Sequence, residues 1–122
     1  EELAVVLPYI NIVSMDMKLP FMNNQVEYWY EHEQFLKLAR TCKEVFVKVV
    51  ICKDIPQNEF DQVLKIIARI DVNIPLILQP ITPIHGFQAV ELEQLLQYQD
   101  QALSLLKNVR IIPQNHKILG YL

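Results

Sequence analysis

Residues 44–52, Glu-Val-Phe-Val-Lys-Val-Val-Ile-Cys, decide the fold. The stretch is rich in β-branched residues and almost continuously apolar. A strand with one wet face alternates apolar and polar residues, whereas a strand inside a parallel sheet does not. Glu44–Cys52 is therefore read as a buried parallel strand. Parallel neighbours need crossover connections, usually helices, and the flanking sequence offers them on both sides.

On the amino side, Glu27–Thr41 reads as a helix with Phe35, Leu36, Leu38 and Ala39 toward the core. Before it, Ile12–Leu19 (IVSMDMKL) reads as a strand bounded by Pro8 and Pro20. On the carboxyl side, Asn58–Ile70 has Phe60, Val63, Leu64, Ile67 and Ala68 at helical spacing. Asn58 suits an N-cap, with Asp61 as a first-turn acid. Ile74–Gln79 is a third strand, with Pro75 tolerated near its start. A loop from Pro80 to Gln88 follows. Ala89–Lys107 is expected to be a long helix, with Leu92, Leu95, Leu96, Leu103 and Leu106 facing inward. Val109–Ile112 is a fourth strand, Gln114–Leu122 a tail, and Glu1–Leu7 the end of a preceding helix. The order predicts a single α/β domain over residues 1–122, built of parallel βα repeats.

The strand faces choose between two architectures. Successive side chains of a strand point to opposite faces. Val13, Met15, Met17 and Leu19 share one face of the first strand, and Ser14, Asp16 and Lys18 the other. In the second strand Val45, Val47, Val49 and Ile51 oppose Phe46, Lys48 and Val50. Gln79 shares a face with Ile77, and Arg110, Ile112 and Gln114 share another. A sheet covered by helices on both sides has no place for these polar groups, each costing about 2–7 kcal/mol if neutral, dry and unpaired, and more if charged. The pattern favours an arc of a partial (β/α) TIM-like barrel over a doubly wound sheet. The polar residues come late in their strands, where α/β folds place ligands.

Composition narrows the function classes. With 122 residues, 52% hydrophobic, the chain can build one core. The net charge is −3 and no basic run exceeds two residues, so no nucleic-acid surface is expected. No apolar stretch reaches the roughly 18 residues of a membrane span, and no signal peptide is visible. Cys42 and Cys52 lack metal-ligand spacing and are expected to be reduced thiols. A cytoplasmic location is the expectation. The start at Glu1-Glu2 and the count of two glycines suggest a piece of a longer protein.

Three stretches carry a resemblance. They are Val13-Ser14-Met15-Asp16-Met17-Lys18-Leu19-Pro20, Leu76-Ile77-Leu78-Gln79-Pro80-Ile81-Thr82-Pro83, and Val109-Arg110-Ile111-Ile112-Pro113-Gln114-Asn115-His116-Lys117. Their order and spacing resemble the carboxy-terminal half of the 7-carboxy-7-deazaguanine synthase family of radical S-adenosylmethionine enzymes, from Leu3 to Leu122. The closing stretch is the most specific of the three. The resemblance implies a partial barrel, a [4Fe–4S] cluster on an upstream Cys-x3-Cys-x2-Cys loop, and S-adenosylmethionine as radical source. It further implies Mg²⁺ and a pterin-like substrate, contracted to a deazaguanine on the way to queuosine. The chain departs from the family in having no three-cysteine loop, so the cluster ligands are expected upstream and the chain is expected to be inactive alone.

Within that frame the candidates for a S-adenosylmethionine or substrate pocket are Asp16, Lys18, Lys48, Gln79, Gln114 and His116. A carboxylate suits ribose hydroxyls or an ammonium, and a lysine suits a carboxylate. An amide suits a base edge, being both donor and acceptor. The blander readings are a charge network among Asp16, Lys18 and Lys48, a strand-end cap at Gln79, and a surface histidine at His116. His32 and His85 are read as surface or loop residues, and Trp29 with its neighbours Tyr28 and Tyr30 as packing or an exposed patch. The competing functions are another radical S-adenosylmethionine activating enzyme and a non-catalytic α/β binding module. Cutting a barrel leaves the edge of the first strand open, so a homodimer through that edge is expected.

Overall fold

A computed structural model describes residues 12–42, 44–83 and 86–113. Strand β1 spans Ile12–Asp16, helix α1 Trp29–Ala39, β2 Glu44–Ile51, α2 Gln57–Ile70, β3 Leu76–Pro80, α3 Leu92–Leu103 and β4 Val109–Ile111. The four described strands are all parallel and lie in the order β1-β2-β3-β4. In that order each crossover steps the same way. Crossovers of one hand then place every helix on the same face. A doubly wound sheet reverses its strand order and puts helices on both faces; here it does not reverse. The fold is α/β, and its arrangement matches the expected barrel arc.

Burial follows strand parity. Val13, Met15, Val47, Val49, Ile51, Leu76, Leu78 and Val109 are buried. All but Val13 join one core with Leu36 of α1, Phe60, Val63, Leu64, Ile66 and Ile67 of α2, and Leu95, Tyr98 and Ala102 of α3. The opposite face carries Ser14, Asp16 and Arg110, which are exposed, and Phe46, Lys48, Val50, Ile77 and Gln79, which are half-buried. Its apolar ends stay wet, with Ile12 58% and Ile112 46% exposed. Phe60 anchors the core from α2, its ring 4.7 Å from that of Tyr98.

Several expectations need correction. Helix α2 starts at Gln57 after Pro56, so Asn58 is not its N-cap, and no side chain caps this end. The fixed φ of proline presets entry into the first turn at Pro56. Asp61 is tied to two amides instead, accepting from Gln57 Nε2 at 2.9 Å and from Gln101 Nε2 at 2.6 Å. The last helix is shorter than expected, and its phase differs. Leu92, Leu96 and Leu103 are 70%, 45% and 46% exposed. The buried stripe is Leu95, Tyr98 and Ala102, with Leu106 just beyond the helix. Leucines alone misplace the stripe because a tyrosine and an alanine complete it. In α1, Leu36 and Ala39 are buried while Phe35 points outward at 37% exposure. Glu1–Leu7, Gln114–Leu122 and His85 lie outside the described residues.

Candidate functional site

The ladder register assembles the open face. Asp16 of β1 pairs with Lys48 of β2, Lys48 with Ile77 of β3, and Ile77 with Arg110 of β4. One row later Val50 pairs with Gln79. The polar residues therefore come from different strands yet lie side by side, because equal parity and in-step register leave them no other face.

Lys48 and Asp16 form an ion pair, Nζ to Oδ1 at 3.4 Å, with the lysine less exposed than the carboxylate. The pair is partly wet, so its own contribution to stability is small, about 0.2–1 kcal/mol. It leaves both groups accessible to a ligand. A cavity of about 220 Å³ opens beside it, lined by Asp16, Lys18, Met22, Asn23, Lys48 and Val50 among others. Pockets for whole small molecules run from roughly 300 to 1,000 Å³. This one has room for part of such a ligand, with the remainder free to run over Val50 toward Gln79. Among the described residues no hydrogen bond engages the Gln79 amide. A larger hollow, about 550 Å³, lies between the turn after β1 and the start of α2, lined by Pro20, Trp29 and Glu59 among others. None of the open-face residues lines it, so it lies off that face.

Backbone strain collects on the same side. Asn24, Gln25 and Asp54 have φ of 54°, 63° and 62°, in the segments that follow β1 and β2. Such positions cost about 1–3 kcal/mol each and gather at functional ends of folds. The segment after β2 is tied to the one after β3 by the Lys53 N–H, which donates to the Gln88 carbonyl at 2.8 Å.

His32 is not the surface residue expected from sequence. It is half-buried on α1 and its Nε2 accepts the Lys18 backbone N–H at 3.2 Å, which places the ring proton on Nδ1. The neighbouring Met17 N–H donates to Lys48 of β2, so His32 serves a donor on the outer edge of the strand. Burial holds the imidazole pKa below its usual 6.5, against the opposing pull of Glu31. A histidine held neutral by folding adds stability above the unfolded pKa, and that stability is lost as pH falls below about 6.5 toward the folded value. Wild type should lose more unfolding free energy between about pH 7.5 and about pH 5.5 than His32→Leu does. Urea titrations with parallel pH slopes would show that His32 carries no such linkage. At the other edge of the sheet Gln99 Nε2 of α3 donates to the Val109 carbonyl at 3.4 Å.

Sequence reasoning passed over Arg110, Met22 and Asn23. Arg110 was visible on the correct face by parity; Met22 and Asn23 approach only through the turn, which no periodicity announces. Gln114 and His116 lie outside the described residues. Cys42 is half-buried and Cys52 buried, both as free thiols, and burial pushes the Cys52 thiol up. No group of three His, Cys, Asp or Glu among the described residues is placed to hold a metal ion. No described helix is long and apolar enough to cross a membrane.

Described helices on one side, a polar open face on the other and a small cavity at the strand ends define the class: an arc of a βα-barrel type of scaffold. No protein-family model and no solved structure matches the chain. The chain is similar to the 7-carboxy-7-deazaguanine synthase of Geobacter sulfurreducens, 35% identical over 120 residues. The match covers 98% of the chain and 48% of that protein, so the chain spans about half the length of the curated relative. The resemblance drawn from the three quoted stretches is thus borne out at the level of the whole chain.

Proposed function

We propose that the chain is a carboxy-terminal part of a radical S-adenosylmethionine enzyme of the 7-carboxy-7-deazaguanine synthase kind. Its share of the work is to hold S-adenosylmethionine and a pterin-like substrate on the open face. The observation that carries this is the Asp16–Lys48 pair on the sheet face that no described helix covers, in a chain similar to such a synthase over 98% of its length. The donor set suits the ligand: a carboxylate for ribose hydroxyls or an ammonium, lysines for a carboxylate, and the Gln79 amide for a base edge. Gln114 and His116, which follow β4 in sequence, are included as rim residues.

The described residues do not fit a [4Fe–4S] cluster. Such a cluster takes thiolate ligands, and Cys42 and Cys52 lie on either side of β2. The reading requires cluster ligands from sequence outside this chain, and the edge of β1, unpaired among the described residues, is where a further parallel strand, or a second copy, would pair.

Calorimetric titration of the 122-residue chain with S-adenosylmethionine tests the pocket. Saturable one-site binding is the expected result. No binding heat at millimolar ligand would overturn the pocket's assignment. The genomic sequence preceding Glu1 tests the enzyme class independently: a three-cysteine loop is expected there, and its absence would remove the radical chemistry.

A further inference from the structure

Glu59 is the one charged side chain that is buried among the described residues, at 8% exposure. A carboxylate taken out of water needs a counter-charge or hydrogen bonds to keep it there. None of the ion pairs among the described residues involves it. Its Oε1 instead accepts the Phe21 backbone N–H at 2.8 Å, across 38 residues of sequence. Glu59 stands in the first turn of α2, where the helix dipole favours negative charge. That preference explains a glutamate there. It explains neither the burial nor the reach to another segment.

The contact holds the turn that follows β1. Pro20–Met22 forms a 3-10 turn. The Asn23 and Gln25 N–H groups donate to the Pro20 carbonyl at 3.0 and 2.8 Å, and Val26 N–H to the Asn23 carbonyl at 3.0 Å. Asn24 and Gln25 are both left-handed. Asparagine visits that region readily and glutamine does not. Two such residues in succession persist only where the surroundings fix them. The Phe21 ring packs near Phe87, with centroids 5.9 Å apart. The same turn presents Met22 and Asn23 to the cavity beside Asp16, Lys18 and Lys48.

We propose that Glu59 is a positioning residue for that cavity: through the Phe21 N–H it holds residues 20–26 so that Met22 and Asn23 form the cavity wall. The role rests on the open face being the ligand site. The order it imposes on the turn does not depend on which ligand binds.

Residue-resolved amide hydrogen exchange on the full chain tests it, with Glu59→Gln and Glu59→Ala. Glutamine keeps an acceptor oxygen at the same reach, and alanine removes it. The Phe21 amide should be protected in wild type and Glu59→Gln, and should exchange at least about tenfold faster in Glu59→Ala. The amides of Val47 and Ile67 should keep their rates. Undiminished protection of Phe21 in Glu59→Ala overturns the proposal. So does a loss spread equally over α2 and β2, which marks a residue needed only for folding. S-adenosylmethionine titration of the same variants separates the two readings. A wild type that does not bind overturns the proposed ligand while the exchange result still decides the turn. Binding that is unchanged in Glu59→Ala, despite a released Phe21, overturns the positioning role.

Discussion

Phe60→Ala is expected to lower the unfolding free energy by about 3–5 kcal/mol, the range for deleting a buried aromatic ring. Phe60 is fully buried and stands at the centre of the core that α2 makes with the sheet. Its removal forfeits apolar burial and leaves a cavity that packed strands cannot close. It also removes the tilted ring contact with Tyr98, worth about 0.5–1.5 kcal/mol beyond area. Domains of this size have roughly 5–15 kcal/mol in all, so a large share would go. Urea unfolding should show a lower midpoint at unchanged slope. Leu92→Ala is the matched control: Leu92 is 70% exposed, and its loss should stay within about 0.5 kcal/mol. A loss below about 1 kcal/mol for Phe60→Ala would place the core elsewhere.

Lys48→Met is expected to weaken S-adenosylmethionine binding about tenfold to a hundredfold, the equivalent of one charge-assisted hydrogen bond of about 1.5–3 kcal/mol. Methionine keeps most of the stem and deletes only the ammonium. Lys48 lies in the row between Asp16 and Ile77 and lines the cavity, so the lost charge borders the proposed ligand site. Folding should barely respond, because the partly exposed pair with Asp16 contributes at most about 1 kcal/mol. Lys65→Met, on the exposed side of α2, should bind as wild type. Equal affinity in the Lys48 and Lys65 variants would detach the open face from ligand binding.

Much of this was legible in the sequence, for reasons that can be named. Strand parity is a period of two, and it survives any twist or packing detail. Val47, Val49 and Ile51 on one face, with Lys48 on the other, therefore predicted both the core and the polar face. Lys48 beside Asp16 followed from parity together with in-step parallel register. Helix phase was less secure. In α3 the buried positions Tyr98 and Ala102 are less conspicuous than the leucines around them, and a stripe drawn through leucine alone lands on the wrong side. Contacts between segments distant in sequence were not legible at all. Nothing local announces that Glu59 reaches Phe21 or that His32 serves Lys18, since each depends on how helices settle over strand ends.

The division of the sheet into a covered and an open face bears on how the sequence can vary. Along β2, positions 45, 47, 49 and 51 answer to packing, and positions 46, 48 and 50 answer to whatever lies over the sheet. Substitutions on the second set can drift or be selected with little penalty in folding, so specificity and stability are nearly independent traits in this stretch. Insertions and deletions have no such freedom. A slip of one residue in β2 turns Lys48 into the core and Val47 and Val49 out of it. Length within the strands should therefore be held fixed across descendants, while the identity of every second residue is open to change.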